Sequence, residues 1–142
     1  MIGKSKKKIL ILGSRGQIGS SLEVYLKKKY NVEGVDILNG KNEDLRSNSN
    51  KIQSLIKNTD FVFFLAFDVG GSRYMDKYQN SYTFIMNNVQ IMANTFSILK
   101  KNKKKFIFAT SQMSNMLFSS YGILKKIGEN LTSSLGGLNV RF

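Results

Sequence analysis

Lys8-Ile9-Leu10-Ile11-Leu12-Gly13-Ser14-Arg15-Gly16-Gln17-Ile18-Gly19 is the stretch on which the fold turns. Its first five residues form a short, β-branched-rich apolar run, which reads as a strand buried on both faces. Three glycines follow at once, and Ile18, Leu22, Tyr25 and Leu26 then recur at helical spacing. Lys27, Lys28 and Lys29 close that helix, where cations suit the negative end of its dipole. Strand, glycine loop and helix in that order form the first unit of a parallel α/β sheet.

The same alternation continues to the end of the chain. Strands are expected over Asn31 to Val35, Asp60 to Ala66, Lys105 to Ala109 and Leu138 to Phe142, with Glu43-Asp44-Leu45 as a minimal edge strand. Helices are expected over Lys51 to Asn58, from about Gln79 to Lys100, and from Tyr121 through Leu131. Asn39 to Asn50 is polar and irregular, and Asp68 to Ser72 reads as a turn. Right-handed crossovers then give a Rossmann-type sheet of order 3-2-1-4-5-6, with helices on both faces and residues 1–142 as one domain.

The glycines point to a dinucleotide. One allows a tight turn, one lets backbone N–H groups approach a pyrophosphate, and one lets helix and strand pack closely. The spacing is Gly-x-x-Gly-x-x-Gly rather than Gly-x-Gly-x-x-Gly. Asp36, at the end of the second strand, stands at the distance where a carboxylate accepts hydrogen bonds from a ribose diol, which favours NAD. Arg15 is suited to the 2′-phosphate of NADP, so both cofactors stay open.

Farther along, Ser111 ends a strand and Tyr121-x-x-x-Lys125 opens a helix. A phenol beside an ammonium and a hydroxyl can move a proton while a hydride moves. The chain has no histidine and no cysteine, so the usual imidazole base, disulfides and cysteine metal sites are excluded and tyrosine is the natural proton carrier.

With Gly13, Gly16, Gly19, Asp36, Asp44-Leu45, Leu65-Ala66, Asn88, Ser111 and Tyr121-x-x-x-Lys125 in order, the chain resembles the extended short-chain dehydrogenase/reductases. More narrowly, it resembles the NAD-dependent epimerase/dehydratase group that acts on nucleotide sugars. The resemblance implies that Gly13, Gly16, Gln17 and Ile18 hold the pyrophosphate and Asp36 the adenosine ribose. It places Asp44 and Leu45 beside the adenine, and Leu65 and Ala66 along the cofactor's centre. It gives Asn88 a role in positioning Lys125. Ser111 would bind the reacting sugar oxygen, Tyr121 exchange its proton, and Lys125 lower the tyrosine's pKa and bind the nicotinamide ribose. Relatives pair through the helices matching Gln79 to Lys100 and Tyr121 to Ser134, so a homodimer is expected.

The chain also departs from that pattern. The segment between Ser111 and Tyr121 is short and lacks the usual proline and glutamate, and the Asp36 to Asp44 connection is too short for the usual helix. The last residues match the sixth strand, where relatives continue into a substrate-binding region, so a substrate domain is expected to be absent from residues 1–142. A dinucleotide-binding module or split enzyme without turnover of its own therefore stands beside the enzyme reading.

The net charge of +13 and pI near 10.0 would suit nucleic acid. However, the lysine clusters fall at strand starts and helix ends with no interleaved aromatics, so they read as solvated ends and nucleic acid is not an expected partner. The longest apolar run, Phe61 to Phe67, is far short of the ~20 residues that span a bilayer. With no signal-peptide pattern, a cytoplasmic location is expected.

Overall fold

The computed structural model describes residues 6–142. Five parallel strands run β1 (Lys8–Leu12), β2 (Asn31–Val35), β3 (Phe61–Phe64), β4 (Lys105–Thr110) and β5 (Leu138–Arg141). Their order is β2-β1-β3-β4-β5, with Leu10 opposite Val62 and Phe63 opposite Ile107. The helices are α1 (Gln17–Leu26), α2 (Asn50–Lys57), α3 (Ser72–Tyr78), α4 (Tyr82–Lys101) and α5 (Ser120–Ser134). This is the expected Rossmann-type arrangement without its outermost strand.

That strand, expected at Glu43 to Leu45, does not form. Lys41–Glu43 is a 3-10 turn, and the carbonyls of Leu45 and Arg46 accept hydrogen bonds from Asn94 Nδ2 at 3.1 and 2.8 Å. With those carbonyls met from α4, the segment has little to gain from a ladder against β2. The long helix also starts later than expected, because the Ser81 hydroxyl caps it by accepting from Phe84 N–H at 3.2 Å. The residues just before it form the separate helix α3.

The sheet's alternation sorts its side chains. Leu10, Leu12, Val62, Phe64, Phe106 and Phe108 join one core with residues of α2, α4 and α5. There the Phe64 ring lies 5.3 Å from that of Phe96 and 5.2 Å from that of Phe108, pairs that each add about 1 kcal/mol beyond burial. On the other face Ile9 and Ile11 form a smaller cluster with Leu26 of α1. This second face is covered only in part. Phe61, Phe63 and Ile107 are half-buried, and Leu138 and Val140 are exposed, although parallel sheets are normally covered on both sides. Among the described residues, no helix is long and apolar enough to cross a membrane.

Candidate active site

The β1–α1 loop is built on two glycines that cannot be replaced without strain. Gly13 has φ +89°, and a Cβ there would lie 2.7 Å from the Ala66 backbone nitrogen. A Cβ on Gly19 would overlap the Gly13 carbonyl oxygen, so the helix can approach the strand this closely only with glycine. Gly16 is the N-cap of α1 and supplies no side-chain cap, leaving the N–H groups of the first turn free to meet an anion.

These groups border a cavity of about 780 Å³ at the carboxyl ends of the strands, where open α/β sheets bind ligands. Gly13, Arg15, Gly16, Gln17, Ile18, Gly19, Asp36, Asp44, Leu45, Leu65 and Ala66 all line it. Asp36 Oδ2 accepts from Arg15 N–H at 2.9 Å and Oδ1 from Leu38 N–H at 3.0 Å, which fixes the carboxylate at the rim. Arg15 Nε donates to Asn39 Oδ1 at 3.0 Å, placing a cation beside the same turn.

Several lining residues were not legible as site residues in the sequence. Glu43 accepts from Asp36 N–H at 3.0 Å, Asn39 Nδ2 at 2.8 Å and Lys51 Nζ at 2.6 Å. Burial alone would raise its pKa, but these donors bring it below the ordinary value. Asp44, the next residue, holds Arg46, whose Nη1 donates to Asn87 Oδ1 at 3.1 Å. Asn87 Nδ2 in turn donates to Asp68 Oδ2 at 2.8 Å. The one available signal was Asp68, a carboxylate at the carboxyl end of β3.

Asn88 is fully buried, and its direct hydrogen bonds go to Asp68 and Phe84. Its Oδ1 accepts from Asp68 N–H at 2.7 Å, and its Nδ2 donates to the Asp68 and Phe84 carbonyls at 3.0 Å each. It therefore anchors the turn after β3 to α4.

Ser111, Tyr121 and Lys125 do converge past the end of β4. The Ser111 hydroxyl caps the turn Gln112–Asn115, accepting from Met113 N–H at 3.2 Å, and lies near enough to Tyr121 to act on its phenol. The Tyr121 ring stands edge-on to Phe67 at 5.8 Å. Lys125, only 4% exposed, donates from Nζ to the Ala109 carbonyl at 2.9 Å and lies 3.8 Å over the Phe67 ring and 5.7 Å from the Tyr121 ring.

The electrostatics differ from the expectation that Lys125 lowers the Tyr121 pKa. In the free chain burial raises the phenol, and the nearby Ser111 hydroxyl works the other way. Burial pulls the Lys125 amine down to about 7, so its charge is only partly present at neutral pH.

This predicts a stability cost at the site. The Lys125 pKa is lower folded than unfolded, so the unfolded chain binds the extra proton between pH about 7 and its ordinary 10.5, and stability rises with pH across that window. Lys125→Met removes the buried amine, and we expect it to stabilise the fold at neutral pH by on the order of 1–3 kcal/mol while flattening that rise. Thermal unfolding as a function of pH measures both, and a destabilised variant would show that the Ala109 and Phe67 contacts outweigh the burial of charge.

A family model described as NAD dependent epimerase/dehydratase matches residues 9–133. Among solved structures, an L-threonine dehydrogenase from Clostridium difficile superposes with a TM-score of 0.77 at 24% identity, over 98% of this chain and 54% of that one. A dTDP-4-dehydrorhamnose reductase from Bacillus anthracis, in complex with NADP, gives 0.77 at 16% identity over 98% and 54%. A GDP-L-fucose synthetase from Naegleria fowleri gives 0.70 at 17% identity over 99% and 50%. At these identities the likeness shows the fold alone. The chain spans about half the length of each of these proteins. No curated protein matches it. The matched span runs from β1 through α5 and takes in the glycine loop, Asp36, Ser111, Tyr121 and Lys125, and on that match the chain belongs to the NAD-dependent epimerase/dehydratase family.

Proposed function

We propose that this chain is the cofactor-binding half of an NAD(P)-dependent epimerase, dehydratase or reductase of nucleotide sugars. The observation that carries the reading is the cavity that joins two obligatory glycines and an uncapped helix N-terminus to the Asp36 carboxylate. Those groups fit a dinucleotide: N–H donors for the pyrophosphate, carboxylate oxygens for a ribose diol, and apolar walls at Leu45 and Ala66. Asp36 fits NAD, and Arg15 at the same turn fits the 2′-phosphate of NADP.

The cofactor, when bound, supplies the hydride acceptor and donor. The chain's own contribution is proton transfer and orientation. Ser111 steadies the reacting oxygen, the Tyr121 phenolate takes its proton and the resulting phenol returns it, and the charged form of Lys125 favours the phenolate. Removing the hydroxyl's proton as hydride leaves would produce a keto sugar, which the same groups then reduce or rearrange. The dehydrorhamnose reductase and fucose synthetase names support a nucleotide sugar, whereas the threonine dehydrogenase name puts L-threonine in the test panel as well.

The part-covered sheet face at Phe61, Ile107 and Leu138, together with the half-length match, favours a second reading of the isolated chain. In that reading it binds cofactor, and turnover needs further polypeptide to hold the substrate. Titration of the isolated chain with NADH and NADPH, read by the reduced nicotinamide's fluorescence, tests the cofactor site directly. Saturable binding of at least one is expected, and binding of neither removes the proposal.

We also propose a homodimer through α4 and α5. Ile123, Ile127 and Leu131 stand exposed at four-residue spacing along α5, with Val89 exposed on the neighbouring α4. Ile127→Asp should convert a dimer to a monomer in sedimentation equilibrium. A chain that is already monomeric at high concentration would exclude this interface.

A further inference from the structure

The net charge of +13 is not distributed around the cavity that takes the anionic cofactor. Folding gathers the clusters Lys6 to Lys8, Lys27 to Lys29 and Lys100 to Lys105, with Lys57, at the opposite edge of the sheet, where the parallel strands begin and α1, α2 and α4 end. Twelve of the eighteen lysines sit at that one pole. Hydrogen bonds tie the clusters together: Asn31 N–H donates to the Lys7 carbonyl, Asp60 N–H to the Lys8 carbonyl, and Lys104 Nζ to the Lys57 and Thr59 carbonyls. Asp36, Glu43, Asp44, Asp68 and Asp76 lie toward the other edge, so the molecule is electrically polarised along its strands.

Helix C-termini attract cations, but each such contact is worth only about 0.3–1 kcal/mol. Twelve like charges at one pole repel one another. Among the described residues, only Lys27 of these twelve pairs with a carboxylate, Glu23 at 2.6 Å. The pole also holds a polar groove of about 680 Å³ lined by Lys6, Lys8, Tyr30, Asn31, Asn58 and Asp60. Tyr30, which follows Lys29 in the chain and is 36% exposed, lines this groove beside Lys6 and Lys8.

From this segregation, we propose that the lysine pole binds single-stranded nucleic acid, with lysines along the phosphates and Tyr30 stacking on a base. The surface is opposite the cofactor cavity, so the inference does not depend on the proposed enzyme activity. An anionic bilayer would meet the same charge, but a bilayer has no use for a groove with an aromatic and two amides on its walls.

The test is fluorescence anisotropy with a labelled oligothymidylate of roughly 20 nucleotides, a length that spans more than one such site. Five contacted phosphates would weaken binding by about 100-fold between about 50 and about 200 mM salt. Replacing Lys27, Lys28, Lys29, Lys100 and Lys101 by Glu should abolish binding. The Gln versions, which remove repulsion rather than add it, should weaken binding at least about 10-fold and flatten the salt dependence. Tyr30→Ala should weaken it by about 5-fold or more. Arg73→Glu with Lys77→Glu, on α3 at the other edge, should leave it unchanged, and saturating NADH should not compete. No binding at low salt, equal loss in the α3 variant, displacement by NADH, or tighter association with phosphatidylserine vesicles than with the oligonucleotide would each overturn the proposal.

Discussion

Tyr121→Phe is expected to lower turnover by about 10²–10⁴-fold in any form of this protein that turns over substrate, with cofactor affinity little changed. The substitution removes one oxygen and leaves the ring's edge-on contact with Phe67 and the half-buried position of the side chain in place. What is lost is the phenol beside Ser111 past the end of β4, and no histidine in the chain can take its role. Product formation from a panel of nucleotide sugars and L-threonine is the measurement, in wild type and variant. Unchanged turnover in the variant would remove Tyr121 from the chemistry, and the proposed mechanism with it.

Glu129→Ala is expected to be the most destabilising single change near the site. Glu129 is buried one turn beyond Lys125. Its Oε1 accepts from Arg141 Nε at 2.7 Å, Ser114 Oγ at 2.8 Å and Thr110 Oγ1 at 3.0 Å, and its Oε2 accepts from Arg141 Nη2 at 2.8 Å. One carboxylate therefore ties α5 to β4, β5 and the turn that carries Ser111. Truncation leaves two buried hydroxyls and a guanidinium without their acceptor. A loss of about 3 kcal/mol follows, at the low end for a buried pair because Arg141 keeps access to water. That corresponds to roughly 10 °C in Tm.

The same residue makes the fold sensitive to acid. The Arg141 hydrogen bonds, more than those from Ser114 and Thr110, hold its pKa down to about 2 from an ordinary 4.5. Because the folded value is the lower one, the stabilisation is complete above about pH 4.5 and is lost as pH falls toward 2. Glu129→Gln should melt at a temperature that depends less on pH in that window. A wild-type acid slope in the Gln variant would assign the effect to other carboxylates.

Much of the scaffold was legible because its signals are local. The run Lys8 to Leu12 and its mate Asn31 to Val35 have the strand boundaries read from the pattern, α2 lies within one residue of its expected ends, and α5 runs three residues past Leu131. The expectations differ from the structure where side chains, distant or adjacent, satisfy backbone groups. From far along the chain Asn94 takes the carbonyls that would have made an edge strand of Leu45, and locally the Ser81 cap divides the helical stretch after β3. Glu43 is not legible as a site residue for a related reason. An isolated glutamate in a polar segment looks solvated until Lys51, Asn39 and the Asp36 amide are folded around it.

The order of elements, the glycine loop and the Ser111, Tyr121 and Lys125 set were determined by the sequence alone, because periodicity, glycine spacing and residue chemistry act over short distances along the chain. Only the tertiary structure decided three further things: that Asn88 holds the Asp68 backbone, that Lys125 is buried against Phe67 with its pKa pulled down, and that separate lysine clusters form one pole. Each depends on burial and on contacts between residues far apart in sequence, which no local pattern encodes.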